Sequence, residues 1–247
     1  MKKVFLCIGL LLSADIHAED WITEEVLKQL SEVRQELKAL QQEVKGLKEA
    51  IAERPVANSA PTRNSGNVSI DQSPYVGNNE AEIAIIEFSD YQCPYCRRHF
   101  TQTFPEISRN YLEPGKVKYV MKQFPLGFHA KARGASIAAL CVEQEKPGEY
   151  WRAHESIFSG NTKLNQESYL EMASSLGIQS AKFQACMADP KIASLVDQDL
   201  REGEGVGVSG TPAFYIGKIK DGKVVGGRLV SGARPYSTFE NLLESLL

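Results

Sequence analysis

The hydropathy pattern divides the 247-residue chain into four stretches. Met1-Lys2-Lys3 precedes an apolar run from Val4 to Leu12, and small and polar residues follow as far as Ala18. A charged start, a short apolar core and a small-residue end predict an export signal over 1–18, cleaved after Ala18. The run is about half of what a membrane-spanning helix requires. Cys7 lies inside it and leaves with it. Over residues 19–54 the apolar positions Val26, Leu30, Val33, Leu37, Leu40, Val44, Leu47 and Ile51 alternate four and three apart. That 3.5-residue period predicts a coiled-coil helix whose seam needs a partner, a second copy or the chain's own globular part. Leu and β-branched residues mix at both seam positions, which leaves dimer and trimer open. Pro55 and Pro61, among Asn, Ser and Ala without period, predict a linker over 55–68.

The remainder, 69–247, has the size of one domain. Ile83 to Phe88 is a short β-branched apolar run that predicts a buried central strand, and Val117 to Phe124 alternates as a second strand. Between them, helical character runs to about Tyr111. From about 127 to 203 the pattern is helical throughout, with short turns. Strand character returns at Ala213 to Ile216, and a turn at Asp221-Gly222 ahead of Val224-Val225 and Arg228 to Val230 predicts a hairpin. A last helix is predicted over about Tyr236 to Leu246. This order predicts an α/β fold with an all-helical insertion. Lys and Arg number 28 and Asp and Glu 31, so the net charge of −3 argues against a broad nucleic-acid footprint, which needs a strongly basic face.

Chemistry concentrates at Cys93-Pro94-Tyr95-Cys96, just after the apolar strand and at the start of a helix. Two sulfurs at this spacing can close a small disulfide ring. A helix N-terminus favours the thiolate of the first, Cys93, which then attacks and leaves mixed disulfides readily. Cys96, one turn in, is placed to resolve them. A zinc knuckle would need a second ligand pair, and Cys141 and Cys186 stand 45 residues apart without one; no metal site is expected. Arg97 stands where haem attachment requires a histidine. Gly205 to Gly210 spells a GxGxxG string in the wrong order, after a helix and before a strand. Thr211-Pro212 leads directly into an apolar strand, where a cis bond would turn the Thr211 backbone toward an extended peptide. Cys141 and Cys186 share the helical insertion, and in an exported protein they form a structural disulfide or remain two buried thiols. Arg97 and Arg98 either support the thiolate or are solvated. His99, His129 and His154 read as surface or satisfied residues.

Strand, CxxC at a helix start, helical insertion and then Gly210-Thr211-Pro212 before a strand resembles the DsbA-like branch of the thioredoxin superfamily. The resemblance covers 69–247 and implies a thioredoxin-like fold and an exported, periplasmic thiol–disulfide oxidoreductase. It implies Cys93 as nucleophile, Cys96 as resolving thiol and Pro212 as a cis-proline facing them. Thr211, Pro212, Pro94 and Tyr95 would touch substrate. The redox-active disulfide would serve in place of any cofactor. Glu87 sits where the family keeps a buried acid that assists proton transfer; an exposed strand-end charge is the alternative, and Lys122 is a candidate partner. Unfolded or misoxidised secreted proteins are the implied substrates and a membrane redox partner is implied, while the coiled coil resembles that of oligomeric, isomerase-type members. Two other readings of the residues stay open: a non-catalytic coiled-coil chaperone of the envelope, and a soft-metal-binding protein.

Overall fold

The computed structural model describes residues 26–46, the backbone of 62–63, and 66–247. The expected signal over 1–18, both ends of the expected coiled coil and much of the expected linker lie outside the described residues. The chain falls into two units, Met1–Asn58 and Ser59–Leu247. In the first, residues 26–46 form one helix, α1, along which Val26, Leu30, Val33, Leu37, Leu40 and Val44 are all exposed.

The second unit is built on strand β4 (Ile83–Ser89), all seven residues of which are buried. β5 (Lys118–Gln123) lies parallel to it on one side, and β6 (Ala213–Lys220) antiparallel on the other. A strand flanked on both edges and covered on both faces reads as a continuous apolar run rather than an alternating one, which is why Ile83 to Phe88 carries so little polarity. β3 (Tyr75–Gly77) extends the sheet beyond β5, and β8 (Arg228–Ser231) extends it beyond β6. Asp221 and Gly222 both take positive φ and turn β6 back into β7 (Lys223–Val225), closing the expected hairpin. Between the pairs Ile216–Arg228 and Ile219–Val224 the return strand holds one residue more than β6, a bulge at Gly226-Gly227. Gly227 is required there, since a Cβ would lie 2.6 Å from the Tyr215 ring.

Part of the expected linker belongs to this unit. β1 (Thr62–Arg63) pairs with β8, and β2 (Asn67–Ser69) pairs with β7, with buried Val68 opposite Val224. Strands of two and three residues are too short to show a period, so sequence composition alone marks them as linker.

After β4, α2 (Pro94–Arg98), a wide π turn (His99–Thr103), α3 (Phe104–Ile107) and a second π turn (Ser108–Leu112) run on from one another. Pro105 lies inside this stretch, where a proline removes a ladder bond and crowds the preceding turn; wide turns absorb such defects. The insertion comprises α4 (Ala132–Glu145), α5 (Tyr150–Ser159), α6 (Gln166–Ser175), α7 (Ser180–Ala188) and α8 (Pro190–Gly205). The Asp189 carboxylate caps α8 at the Lys191 N–H, with Pro190 as its first residue. α9 (Tyr236–Glu244) closes the chain.

Two cores result. On one sheet face Ile85, Tyr119, Met121, Phe214 and Ile216 pack with α9 and most of the insertion. On the other, Ala84, Ile86, Phe88, Val120 and Tyr215 pack with Phe124, Val206 and Val208. Strand parity therefore decides which polar side chain meets which core, and Glu87 and Ser89 share the face of Ile85.

Candidate active site

Cys93 is the N-cap of α2, with Pro94 as the first helical residue. Proline costs nothing at that position because its missing N–H would be unpaired anyway. The Cys93 N–H donates to the Asp90 carbonyl at 3.1 Å, and the Asp90 N–H donates to Cys96 Sγ at 3.4 Å. Asp90 is fully buried and ties the turn down further. Its carboxylate accepts the Gln92 N–H at 2.7 Å, the Leu126 N–H at 2.8 Å and a 2.8 Å contact from His129 Nδ1. Thr211-Pro212 is cis, and the Thr211 carbonyl stands 3.4 Å from Cys93 Sγ as its acceptor. Pro94 and Tyr95 are exposed beside the dithiol, and the Arg98 guanidinium lies over the Tyr95 ring. Arg97 and Arg98 reach the Ser159 and Ala233 carbonyls instead of either sulfur.

The two thiols differ sharply. The Cys93 thiol is pulled down to about 5, chiefly by a hydrogen bond from Cys96, against the opposing effect of burial. The Thr211 side chain and the backbone N–H groups of Cys96 and Tyr95 assist. Cys96 is fully buried, and burial, with its bond to Cys93, pushes its thiol well up. The pair thus holds one thiolate at the helix N-terminus and one proton behind it.

Glu87 lies in the interior under this pair, 3 % exposed, so the buried alternative holds. Burial raises its carboxyl to about 7, offset in part by the Tyr119 hydroxyl. Tyr119 Oη donates to Glu87 Oε2 at 2.5 Å, and His99 Nε2 lies 2.9 Å behind that hydroxyl. Lys122 is not the partner of Glu87. It lies opposite Phe88 in the parallel register, on the other face of the sheet, and its Nζ binds Asp199 Oδ1 at 2.9 Å and Glu202 Oε2 at 3.0 Å. Register pairs Glu87 with Met121, one residue away, and that single step reverses the face.

Cys141 on α4 and Cys186 on α7 form a disulfide within the insertion. Among the described residues no group of three or more His, Cys, Asp or Glu is arranged to hold a metal ion.

A family model described as thioredoxin matches residues 69–244. The chain belongs to the thioredoxin family. It is 29 % identical over 161 residues to disulfide bond formation protein D of Bacillus subtilis, covering 62 % of this chain and 71 % of that protein. It is 28 % identical over 147 residues to the Na(+)/H(+) antiporter NhaA 3 of Salinispora tropica, of which it covers 22 %. The crystal structure of oxidised BdbD from Bacillus subtilis superposes with a TM-score of 0.62 at 24 % identity, over 74 % of this chain and 97 % of that one. The fold also superposes on that of α-DsbA1 from Wolbachia pipientis with a TM-score of 0.62 at 21 % identity, over 72 % of this chain and 92 % of that one.

Of the residues singled out in the sequence, Cys93, Cys96, Glu87, Thr211 and Pro212 converge, with Pro94 and Tyr95 at the rim. Asp90, Tyr119 and His99 were not anticipated. Only the parity of Tyr119 with Glu87 across adjacent strands could have signalled that pair, and parity needs the register. Of the two readings of His99, surface or satisfied, the second holds: it is fully buried and hydrogen-bonded through Nε2.

Proposed function

We propose that this thioredoxin-family protein is an exported thiol–disulfide oxidoreductase acting on unfolded or misoxidised secreted proteins. The observation that carries the reading is the asymmetry of the dithiol: a thiol held well down at Cys93, the N-cap of α2, and a fully buried, protonated thiol at Cys96. In the oxidising direction a substrate thiolate attacks Cys93 Sγ, the Cys93–Cys96 bond breaks, and Cys96 leaves as a thiolate that takes a proton. A second substrate thiolate then attacks the substrate sulfur of the mixed disulfide, and Cys93 leaves with the electron pair. The substrate has lost two electrons and the dithiol has gained them. A low-pKa leaving group makes that last step fast and the disulfide form oxidising. A membrane redox partner restores the disulfide, and export places the protein in the periplasm. The exposed apolar seam of α1 supports self-association, as a dimer or trimer, through residues 21–53.

The test is exchange with a reduced, unfolded peptide bearing two cysteines. The oxidised protein should form the peptide's disulfide, Cys93→Ser should abolish the reaction, and reduced Cys96→Ser, offered the disulfide form of the peptide instead, should accumulate the mixed disulfide. Normal activity in the Cys93→Ser, Cys96→Ser double variant would refute the reading in favour of a non-catalytic binder. The redox state of the pair in acid-quenched cells assigns direction: disulfide for an oxidase, dithiol for an isomerase or reductase. Removal of residues 19–54 should dissociate the oligomer in sedimentation.

A further inference from the structure

The dithiol chemistry needs a group that gives and takes the Cys96 proton in a site closed to water, and Glu87 is the carboxyl beside it. A carboxyl with two equivalent oxygens and free rotation would do this poorly. The structure holds this one still. Oε2 is occupied by the Tyr119 hydroxyl, while Oε1 is buried and has no hydrogen-bond partner among the described residues. Tyr119 is in turn fully buried, with His99 Nε2 at 2.9 Å from its oxygen.

The direction of this chain follows from its proton count. The single hydroxyl proton of Tyr119 goes to the carboxylate, so its oxygen can only accept from His99. While Glu87 is ionised, His99 is therefore the Nε2–H tautomer, and its Nδ1 is the buried ring nitrogen without a partner among the described residues. Burial keeps the imidazole neutral by lowering it to about 3. Phe214 and Phe239 wall the ring at centroid distances of 4.4 and 5.4 Å, so it cannot turn away. His99 and Cys96 are three residues apart on the buried face of the same helical stretch, so His99 reaches Tyr119 from the element that carries the thiol.

We infer that Tyr119, aligned by His99, is the positioning residue that fixes Glu87 and leaves Oε1 as the oxygen that exchanges the proton with Cys96. The inference rests on the oxidoreductase reading above. In resolution of a mixed disulfide on Cys93, Cys96 Sγ passes its proton to Oε1 and its electron pair forms the Cys93–Cys96 bond. The bond to the substrate sulfur breaks, and the substrate departs as a thiolate. The other ionisable groups facing Glu87 are Cys93 and Cys96 from the start of α2, Tyr91 from the preceding turn and Tyr150 from α5. Ser89 stands beside it on its own strand, and Lys122, Asp199 and Glu202 lie across the sheet.

The experiment loads Cys93 with glutathione and follows its release in a single turnover from pH 5 to 9. Wild type should show a rising limb set by Glu87, and Glu87→Gln should lose it. Tyr119→Phe removes one hydrogen bond to the charged carboxylate, so the limb should move up by about one pH unit, with release about tenfold slower below it. His99→Leu, which leaves the hydroxyl in place but unaligned, should move the limb the same way by less. A Cys93 thiolate absorbance at the wild-type midpoint shows that a variant's site is assembled; if Tyr119→Phe lacks it, His99→Leu decides. Limbs of the assembled variants coincident with wild type, or a Glu87→Gln profile equal to wild type, would overturn the inference. Absence of release from wild type at any pH would instead overturn the oxidoreductase reading.

Discussion

Lys122 offers a test of how far the two faces of the sheet are independent. Its ammonium is 2.9 Å from Asp199 Oδ1 and 3.0 Å from Glu202 Oε2, with side-chain exposures of 3 %, 10 % and 20 %. Asp199 Oδ2 also accepts the Gln123 N–H at 2.8 Å. Lys122→Met keeps the aliphatic stem and deletes the charge, which strands the Asp199 carboxylate in the interior. Breaking a buried pair from one side costs about 3–5 kcal/mol, because the remaining charge has lost its compensation. Glu202, more exposed and hydrogen-bonded by Gln198 Nε2 at 3.1 Å, adds little. For a domain of this size the loss corresponds to a fall in Tm of about 6–20 °C. Adding Asp199→Asn should return about 1–3 kcal/mol, since an amide oxygen can still accept from Gln123 without carrying charge. The assay is urea unfolding of the three proteins in one redox form, alongside the pH profile of glutathione release. A loss under about 1 kcal/mol would show that the ion pair does not compensate a buried charge. A shifted pH profile would show that Lys122 acts on Glu87 through the sheet, against the geometry.

Three further outcomes follow from the same interior. Thiolate absorbance in the reduced protein should rise with a midpoint near pH 5 that is absent from Cys93→Ser, while Cys96 stays protonated through neutrality. A midpoint in the ordinary thiol range would remove the basis of the oxidoreductase chemistry. Buried His99 and His154 are lowered to about 3, below the ordinary 6.5, so the unfolded chain binds protons there that the native one does not. Stability should be complete above about pH 6.5 and fall on acidification toward 3 by about 1.4 kcal/mol per pH unit for each histidine. Unfolding free energies measured across that window, in wild type and His154→Phe, check the slope; equal slopes would refute the histidine origin. Replacing both Cys141 and Cys186 by Ala opens a loop of 45 residues and should cost about 4 kcal/mol by chain entropy, read as a lower urea midpoint at unchanged dithiol chemistry.

What was legible in the sequence was whatever a local pattern can carry. The run Ile83 to Phe88 announces a buried strand because both its faces are covered, and Cys93-Pro94-Tyr95-Cys96 announces a helix start because the first turn accepts a proline without losing a hydrogen bond. Thr211-Pro212 before an apolar strand is local in the same sense. The partner of Glu87 is a different kind of fact. Tyr119, Met121 and Lys122 all lie within reach of Glu87 in any parallel pairing, and only the register separates the hydroxyl that bonds it from the ammonium that points the other way. A one-residue slip of β5 would exchange them, placing Lys122 opposite Glu87 on the dithiol side and Tyr119 opposite Ala84 on the other face. The apolar pattern fixes that register energetically, since the slip would also carry Val120 and Met121 to the wrong cores. It does so through packing summed over the whole strand, which no single residue displays. The same holds for β1 and β2, whose two- and three-residue pairings depend on edges supplied by strands some 160 residues later. Conversely, Lys122 could be buried at all only because α8 brings Asp199 and Glu202 to the opposite face. The chemistry of the site thus depends on local motifs for its sulfurs and on long-range register for the proton that those sulfurs exchange.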